Sequence, residues 1–130
     1  MYKILDNLAT HSIGESVYPL EKYVDAQIGW IDGFRIIDVR MLNDHEGNSN
    51  WDYKVNIARV TSYLECNVPV VICCSAGQSR SNAIALGVLV QHFKMGFYDA
   101  WELVKKKVPI CNIDPSHIAA LKKMFKVKLP

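Results

Sequence analysis

The chain has 130 residues, half of them hydrophobic, and a formal net charge of +2 at pH 7. This length accommodates one hydrophobic core and leaves no room for a second, so we expect a single domain over residues 1–130. The four cysteines, two of them adjacent, do not match a secreted disulfide framework, and the longest apolar runs are too short to span a bilayer. We therefore expect a cytoplasmic protein with no membrane partner.

The first half of the chain predicts alternating strands and helices. In order, the elements are a strand over 2–9, a helix over 20–27, a strand over 34–40, and a helix over 51–66. Asn50 is the expected N-cap of the helix over 51–66 because its side chain can accept a backbone hydrogen bond. A polar loop joins this helix to the strand before it.

The second half predicts one buried strand and three helices. The expected elements are a strand over 68–74 and helices over 81–93 and 97–108, followed by a helix with Asp114 as N-cap and Pro115 in its first turn. Strands separated by helices indicate an α/β domain with a central, mostly parallel sheet of four to five strands flanked by helices. In such sheets the ligand lies beyond the carboxyl ends of the strands, and the loop after residue 74 begins there.

That loop has the composition of an anion-binding site. Its five residues are short or flexible, so their N–H groups can converge on a phosphate at the start of the next helix. They are Ser75, Ala76, Gly77, Gln78 and Ser79. Arg80 adds a planar guanidinium that can bind two phosphate oxygens at once.

Cys74 and Ser81 flank this loop and supply reactive groups. The positive field of the loop would favour the Cys74 thiolate as a nucleophile, and the Ser81 hydroxyl can donate to the sulfur when a thiophosphate is hydrolysed. A buried structural cysteine is the alternative interpretation of Cys74 taken alone. The succession of strand, small-residue loop, arginine, hydroxyl and helix favours catalysis.

The segment from Ala76 to Ser81 resembles the signature of the cysteine-dependent protein phosphatases, and most closely that of their dual-specificity branch. The resemblance implies a phosphatase-type fold and a two-step reaction. In that reaction Cys74 takes the phosphoryl group, an aspartic acid protonates the leaving oxygen, and water hydrolyses the cysteinyl phosphate. Cys73 stands where this family usually has histidine. The spacing of five residues before Arg80 nevertheless identifies Cys74 as the nucleophile.

Three aspartic acids are candidates for the general acid that a leaving alkoxide or phenoxide requires. Asp38 lies within an apolar strand, and Asp52 is expected in the first turn of a helix, where an acid has a structural role. Asp44 lies in a loop thirty residues before Cys74 with a helix between them, as in the dual-specificity phosphatases. We therefore expect Asp44 to be the acid, with Asp52 as the second candidate.

No metal or cofactor is expected. His45, between Asp44 and Glu46, is interpreted as a surface residue because adjacent loop residues rarely converge on one ion. The other three histidines are interpreted as structural or solvated; they are His11, His92 and His117. Lysines in the C-terminal third lie near helix ends, where cations suit the helix dipole, and this explanation is preferred to an acidic partner or a nucleic acid.

The expected substrates are phosphorylated proteins. Classical tyrosine phosphatases have a larger domain, with a tyrosine-bearing segment that deepens the pocket. This chain is too short to hold such a segment. A shallow pocket should admit phosphotyrosine and also phosphoserine or phosphothreonine. Phosphoinositide phosphatases tend to carry lysines in the loop, which has none here. An RNA 5′-triphosphatase and a non-enzymatic phosphate-binding module are the alternatives, and the oligomeric state stays open.

Overall fold

The computed structural model describes residues 1–14 and 29–128, which form five strands and four helices. The strands are β1 (Tyr2–Leu5), β2 (Leu8–Ser12), β3 (Trp30–Ile31), β4 (Phe34–Asp38) and β5 (Val70–Cys74). The helices are α1 (Asn50–Glu65), α2 (Arg80–Gln91), α3 (Phe97–Lys107) and α4 (Pro115–Met124). The helix expected over 20–27 lies outside the described residues.

The five strands form one mixed sheet in the order β1-β2-β5-β4-β3. The central strand β5 pairs parallel with β2 and with β4, whereas β1 and β3 pair antiparallel at the two edges. All five residues of β5 are buried, which is why its sequence is an uninterrupted apolar run. The expected α/β class and the sheet of four to five strands flanked by helices are confirmed. The sheet was expected to be mostly parallel, and two of the four pairs between the described strands are parallel.

Two hairpins at the sheet edges differ from the sequence-based expectation. Residues 2–9 do not form one strand, because the chain turns at Asp6 and Asn7 and returns as β2. Asp and Asn favour such turns. The second hairpin joins β3 to β4 through Asp32 and Gly33, whose φ angles are 49° and 84°. Positive φ at both positions suits a tight hairpin turn, and Asp-Gly is a strong signal for it.

The helix ends agree with prediction to within two residues, with one correction at a cap. Ser49, not Asn50, caps α1: the Asp52 N–H donates to the Ser49 hydroxyl at 3.3 Å, and the Ser49 N–H donates to the Asp52 carboxylate at 2.7 Å. This reciprocal capping box gives side-chain partners to two N–H groups at the start of the helix. Asp114 caps α4 as expected, accepting from the Ser116 N–H at 3.0 Å.

The main hydrophobic core lies between the sheet and the helices. It contains residues of all four described helices together with alternate residues of β5, including Cys74. A smaller cluster on the opposite sheet face holds Cys73. Adjacent strand residues point to opposite faces, so the side chains of Cys73 and Cys74 lie on opposite faces of the sheet. Across the described parts of the chain, every helix is too short or too polar to cross a bilayer.

Candidate active site

The loop between β5 and α2 forms the floor of a small pocket. The pocket has a volume of about 80 Å³. Its lining residues are Asp44, Cys74, Ser75, Ala76, Gln78, Ser79 and Arg80. Cys74 is only 2% exposed, and its Sγ lies 3.2 Å from the Ser81 Oγ. The structure therefore brings the candidate nucleophile, acid and arginine together, with the Ser81 hydroxyl within reach of the sulfur.

The loop carbonyls are bonded to groups outside the pocket. The N–H groups of Ile13 and Gly14 donate to the carbonyls of Cys74 and Ser75, both at 3.0 Å. The Asn82 side chain donates to the Gly77 and Gln78 carbonyls at 3.0 and 2.9 Å. Within the described residues, none of the N–H groups of residues 75–79 has a protein acceptor. These N–H groups are therefore unpaired within the described chain, which is the arrangement that an anion-binding loop requires.

Gly77 closes the loop against β2. Its φ is +73°, and a Cβ at this position would lie 3.1 Å from the Ser12 Cβ and 3.2 Å from the Ser12 backbone nitrogen. Both the backbone conformation and the close approach of a second strand require glycine.

Replacing Gly77 by alanine should therefore damage the site. The left-handed conformation costs about 1–2 kcal/mol for an alanine, and the contact with the Ser12 backbone adds to that cost. We expect a lower melting temperature and weakened phosphate binding, measured by thermal unfolding with and without phosphate. Gly33→Ala is the matched control: it has a similar φ of +84° but open space around its Cβ, and it lies in a hairpin turn. Equal phosphate binding by the two variants would contradict this account.

Arg80 connects the loop over residues 75–79 to the loop that carries Asp44. Its Nη1 donates to the carbonyls of Arg40 and Leu42 at 2.7 and 3.2 Å, and its Nη2 donates to the Ser75 Oγ at 3.1 Å. Its Nε lies 3.5 Å from an Asp44 carboxylate oxygen. The side chain is only 12% exposed, so these contacts fix the plane of the guanidinium at the pocket wall.

Arg80→Lys should be severely impaired although the charge is kept. A single ammonium group cannot reproduce both the carbonyl contacts and a two-oxygen contact to phosphate. Loss of one such transition-state interaction lowers the rate by about 10²–10³. Steady-state kinetics on p-nitrophenyl phosphate would measure this loss, with thermal unfolding as the check on folding. Near-normal turnover would mean that Arg80 serves only the fold.

The three candidate acids have different surroundings. Asp44 lines the pocket with Cys74, and its side chain is 54% exposed. Asp38 forms a two-oxygen ion pair with the Arg40 guanidinium at 2.8–3.1 Å and lines a neighbouring cleft of about 550 Å³. Asp52 is engaged in the cap of α1, the structural role expected for it. Among these three, Asp44 alone reaches the Cys74 pocket.

His45 is exposed, as expected, but the sequence did not predict its partner. Its Nδ1 lies 2.9 Å from a carboxylate oxygen of Asp114, the cap of α4. This hydrogen bond raises the pKa of His45. Two hydrogen bonds hold the pKa of Asp114 below its usual range. The larger effect comes from the Ser116 hydroxyl, and the smaller one from His45. In the described ranges, no three His, Cys, Asp or Glu side chains converge on a possible metal position.

Cys73 occupies a different environment from its neighbour. Burial, with a smaller contribution from the charge of Asp38, raises the pKa of Cys73 to about 12. The Cys73 side chain is therefore a neutral thiol at neutral pH, and it packs in the smaller core on the far face of the sheet. A histidine-like, positively charged role for this position is excluded.

The architecture matches solved phosphatase structures. No protein-family model matches the chain, and no curated protein sequence matches it either. Human DUSP28 superposes with a TM-score of 0.77 at 15% identity over 97% of this chain and 96% of that one. A mouse putative dual specificity phosphatase, complexed with zinc tungstate, superposes with a TM-score of 0.74 at 15% identity over 94% of this chain and 84% of that one.

A third solved structure extends the comparison. The human tyrosine phosphatase-like serine/threonine/tyrosine-interacting protein gives a TM-score of 0.69 at 19% identity over 98% of this chain and 96% of that one. Identities this low carry information about fold only. The chain has the fold of the cysteine-dependent dual-specificity phosphatases, as the signature around Cys74 implied.

Proposed function

We propose that this protein is a phosphoprotein phosphatase that hydrolyses phosphotyrosine, and also phosphoserine and phosphothreonine, through a cysteinyl phosphate on Cys74. The observation that supports this most directly is the meeting of Cys74, Arg80 and Asp44 around one 80 Å³ pocket. The three groups come from a strand end, a helix start and a distant loop, and together they match the needs of phosphoryl transfer.

The first step is attack of the Cys74 sulfur on phosphorus. The free N–H groups of the loop and the Arg80 guanidinium bind the phosphoryl oxygens, whose charge spreads in the transition state. As the S–P bond forms, the bond from phosphorus to the substrate oxygen breaks. Asp44 donates its proton to that oxygen, so the product leaves as a neutral alcohol or phenol.

The second step hydrolyses the cysteinyl phosphate. Asp44, now a carboxylate, accepts a proton from a water molecule as that water attacks phosphorus. The S–P bond breaks, and inorganic phosphate is released. The Ser81 hydroxyl, 3.2 Å from the sulfur, can donate to the departing thiolate and stabilise its charge. No cofactor is required in either step.

The surroundings of the pocket favour phosphoproteins over RNA 5′ ends. The small pocket adjoins a cleft of about 550 Å³, in which Asp38 pairs with Arg40 and Asp44 lies beside Arg80. A second cavity of about 200 Å³ is lined by Asp44, His45 and Asp114, among other residues. Each arginine of the cleft already faces a carboxylate, so the surroundings offer no excess positive charge to a polyanion. The basic residues of the last turns of α3 and α4 do not line any of these three cavities.

A binding module without catalysis is the weaker alternative. Such a module needs the loop and Arg80 but has no use for an acid beside the pocket or for a hydroxyl 3.2 Å from a sulfur. We also propose a reducing compartment such as the cytoplasm, because all four cysteines are free and Cys74 must stay reduced to act.

A substrate panel tests the proposal. Phosphate release would be measured from matched phosphotyrosine, phosphoserine and phosphothreonine peptides and from 5′-triphosphorylated RNA, with Cys74→Ser as the blank. We expect release from the peptides that the blank does not show. Release from RNA alone would establish the triphosphatase alternative, and phosphate binding without any release would establish the binding module.

A further inference from the structure

The loop carrying Asp44 is closed by one side chain. The Asn43 N–H donates to the Asn48 Oδ1 at 2.8 Å, and the Asn48 Nδ2 donates back to the Asn43 carbonyl at 2.8 Å. The same Nδ2 lies 3.5 Å from the Tyr53 hydroxyl. Asn48 therefore joins the two ends of the acid loop, residues 43–48, and links the loop to helix α1. Neither proposed chemical step uses these contacts.

A buried polar pair lies at the end of this chain of contacts. Tyr53 is 2% exposed and His117 is 0% exposed, and the Tyr53 Oη lies 2.8 Å from the His117 Nδ1. The rings meet edge to face, with centroids 5.8 Å apart. Burying two polar groups is unfavourable unless they bond to one another or to a third group. The pair therefore ties α1 to α4 at a fixed point.

The His117 ring lies near the backbone of the acid loop. Burial lowers the pKa of His117, so the ring is neutral near pH 7 and carries one N–H. Its Nε2 is buried without a hydrogen bond to any described residue, yet the Asp44 backbone lies near enough to raise the pKa of this ring. If the Tyr53 hydroxyl donates to Nδ1, the one N–H of the ring is on Nε2.

We propose that Asn48, Tyr53 and His117 are positioning residues that hold the Asp44 carboxyl over Cys74. Arg80 holds the chain just before this loop through the Arg40 and Leu42 carbonyls. The inference rests on the proposed function, because positioning matters only if Asp44 transfers a proton. Removing a member of the network should leave the phosphate loop intact and misplace the acid.

The main test is the variant Tyr53→Phe, which keeps the packed ring and removes only the hydroxyl. Tyr63→Phe is the matched control, since Tyr63 lies on the same helix and contacts the Arg35 guanidinium instead. For phenyl phosphate, whose leaving group needs a proton, we expect kcat to fall by about 10–10², within the range that a small misplacement causes. For p-nitrophenyl phosphate the loss should be several-fold smaller.

Combination with Asp44→Asn separates positioning from a general structural effect. In the Asp44→Asn background, Tyr53→Phe should cause no further loss on phenyl phosphate, because no proton remains to be positioned. Equal losses on the two substrates, or losses that multiply with Asp44→Asn, would overturn the proposal. Asn48→Ala provides a second variant outside the buried core and should give the same pattern at smaller amplitude.

Hydrogen exchange tests the contacts of Asn48, Tyr53 and His117 independently of catalysis. In the substrate-free protein, the amides of residues 43–48 should exchange faster in Tyr53→Phe and Asn48→Ala, while those of α3 stay unchanged. Tyr63→Phe should match the wild type. Unchanged exchange in the loop would overturn the positioning role even if the enzyme is active. If the two variants exchange faster but the wild-type protein hydrolyses none of the substrates, the proposed function alone is contradicted.

Discussion

Cys74→Ser is expected to abolish hydrolysis of p-nitrophenyl phosphate while phosphate still binds. Serine preserves the shape of the loop, but its hydroxyl is far less ionised than a thiol, so the covalent step fails. The N–H groups of residues 75–79 and the Arg80 guanidinium remain in place for the anion. Turnover would be followed at saturating substrate, and phosphate binding by the rise in melting temperature.

Cys73→Ser is the matched control for this result. The Cys73 thiol lies on the far face of the sheet among apolar residues, so its replacement should lower stability but retain substantial activity. An inactive Cys73→Ser beside an active Cys74→Ser would reverse our assignment of the nucleophile. Loss of phosphate binding in Cys74→Ser would show instead that the sulfur itself organises the loop.

Asp44→Asn should produce the second largest effect, and one that depends on the leaving group. Asparagine keeps size and polarity but has no transferable proton. Turnover of a phosphotyrosine peptide should fall by about 10²–10⁴, the usual contribution of general-acid catalysis. p-Nitrophenyl phosphate should lose much less, since its leaving group departs as a stable anion.

Both substrates are needed to interpret that variant. Equal loss on the peptide and on p-nitrophenyl phosphate would mean that Asp44 acts through its contact with Arg80 rather than as an acid. No loss on either substrate would mean that a residue other than Asp44 is the general acid. Asp38, in the adjoining cleft, would then be tested before Asp52, whose carboxylate is already engaged in the cap of α1.

The loop over residues 75–79 could be predicted because the residues that form and flank it are contiguous in the sequence. A buried strand, five loop residues, Arg80 and Ser81 follow one another within a dozen positions, so local sequence determines their geometry. The hairpin turn at Asp32-Gly33 was equally local and could have been found from that dipeptide. Its two-residue strand β3 is too short to show an alternating pattern of its own.

The contacts that hold the acid loop could not be predicted in the same way. Tyr53 and His117 are 64 positions apart, and His45 and Asp114 are 69 apart. Each pair meets only because α1 and α4 pack against the same core, and no short motif encodes that meeting. A histidine met alone in a sequence can be solvated, paired or buried. The structure distinguishes these cases, placing His45 at the surface and His117 in the interior.

The pairing of β2 with β5 also bears on how the protein folds. The two strands are some sixty residues apart in the chain. Just after β2, the N–H groups of Ile13 and Gly14 donate to the carbonyls of Cys74 and Ser75, where the loop over residues 75–79 begins. Contacts between distant segments form late, because a long intervening chain must first be ordered. The anion site should therefore be absent from early folding intermediates. A phosphate-induced gain in stability would then report the complete sheet, and refolding measured by recovery of anion binding should lag behind helix formation.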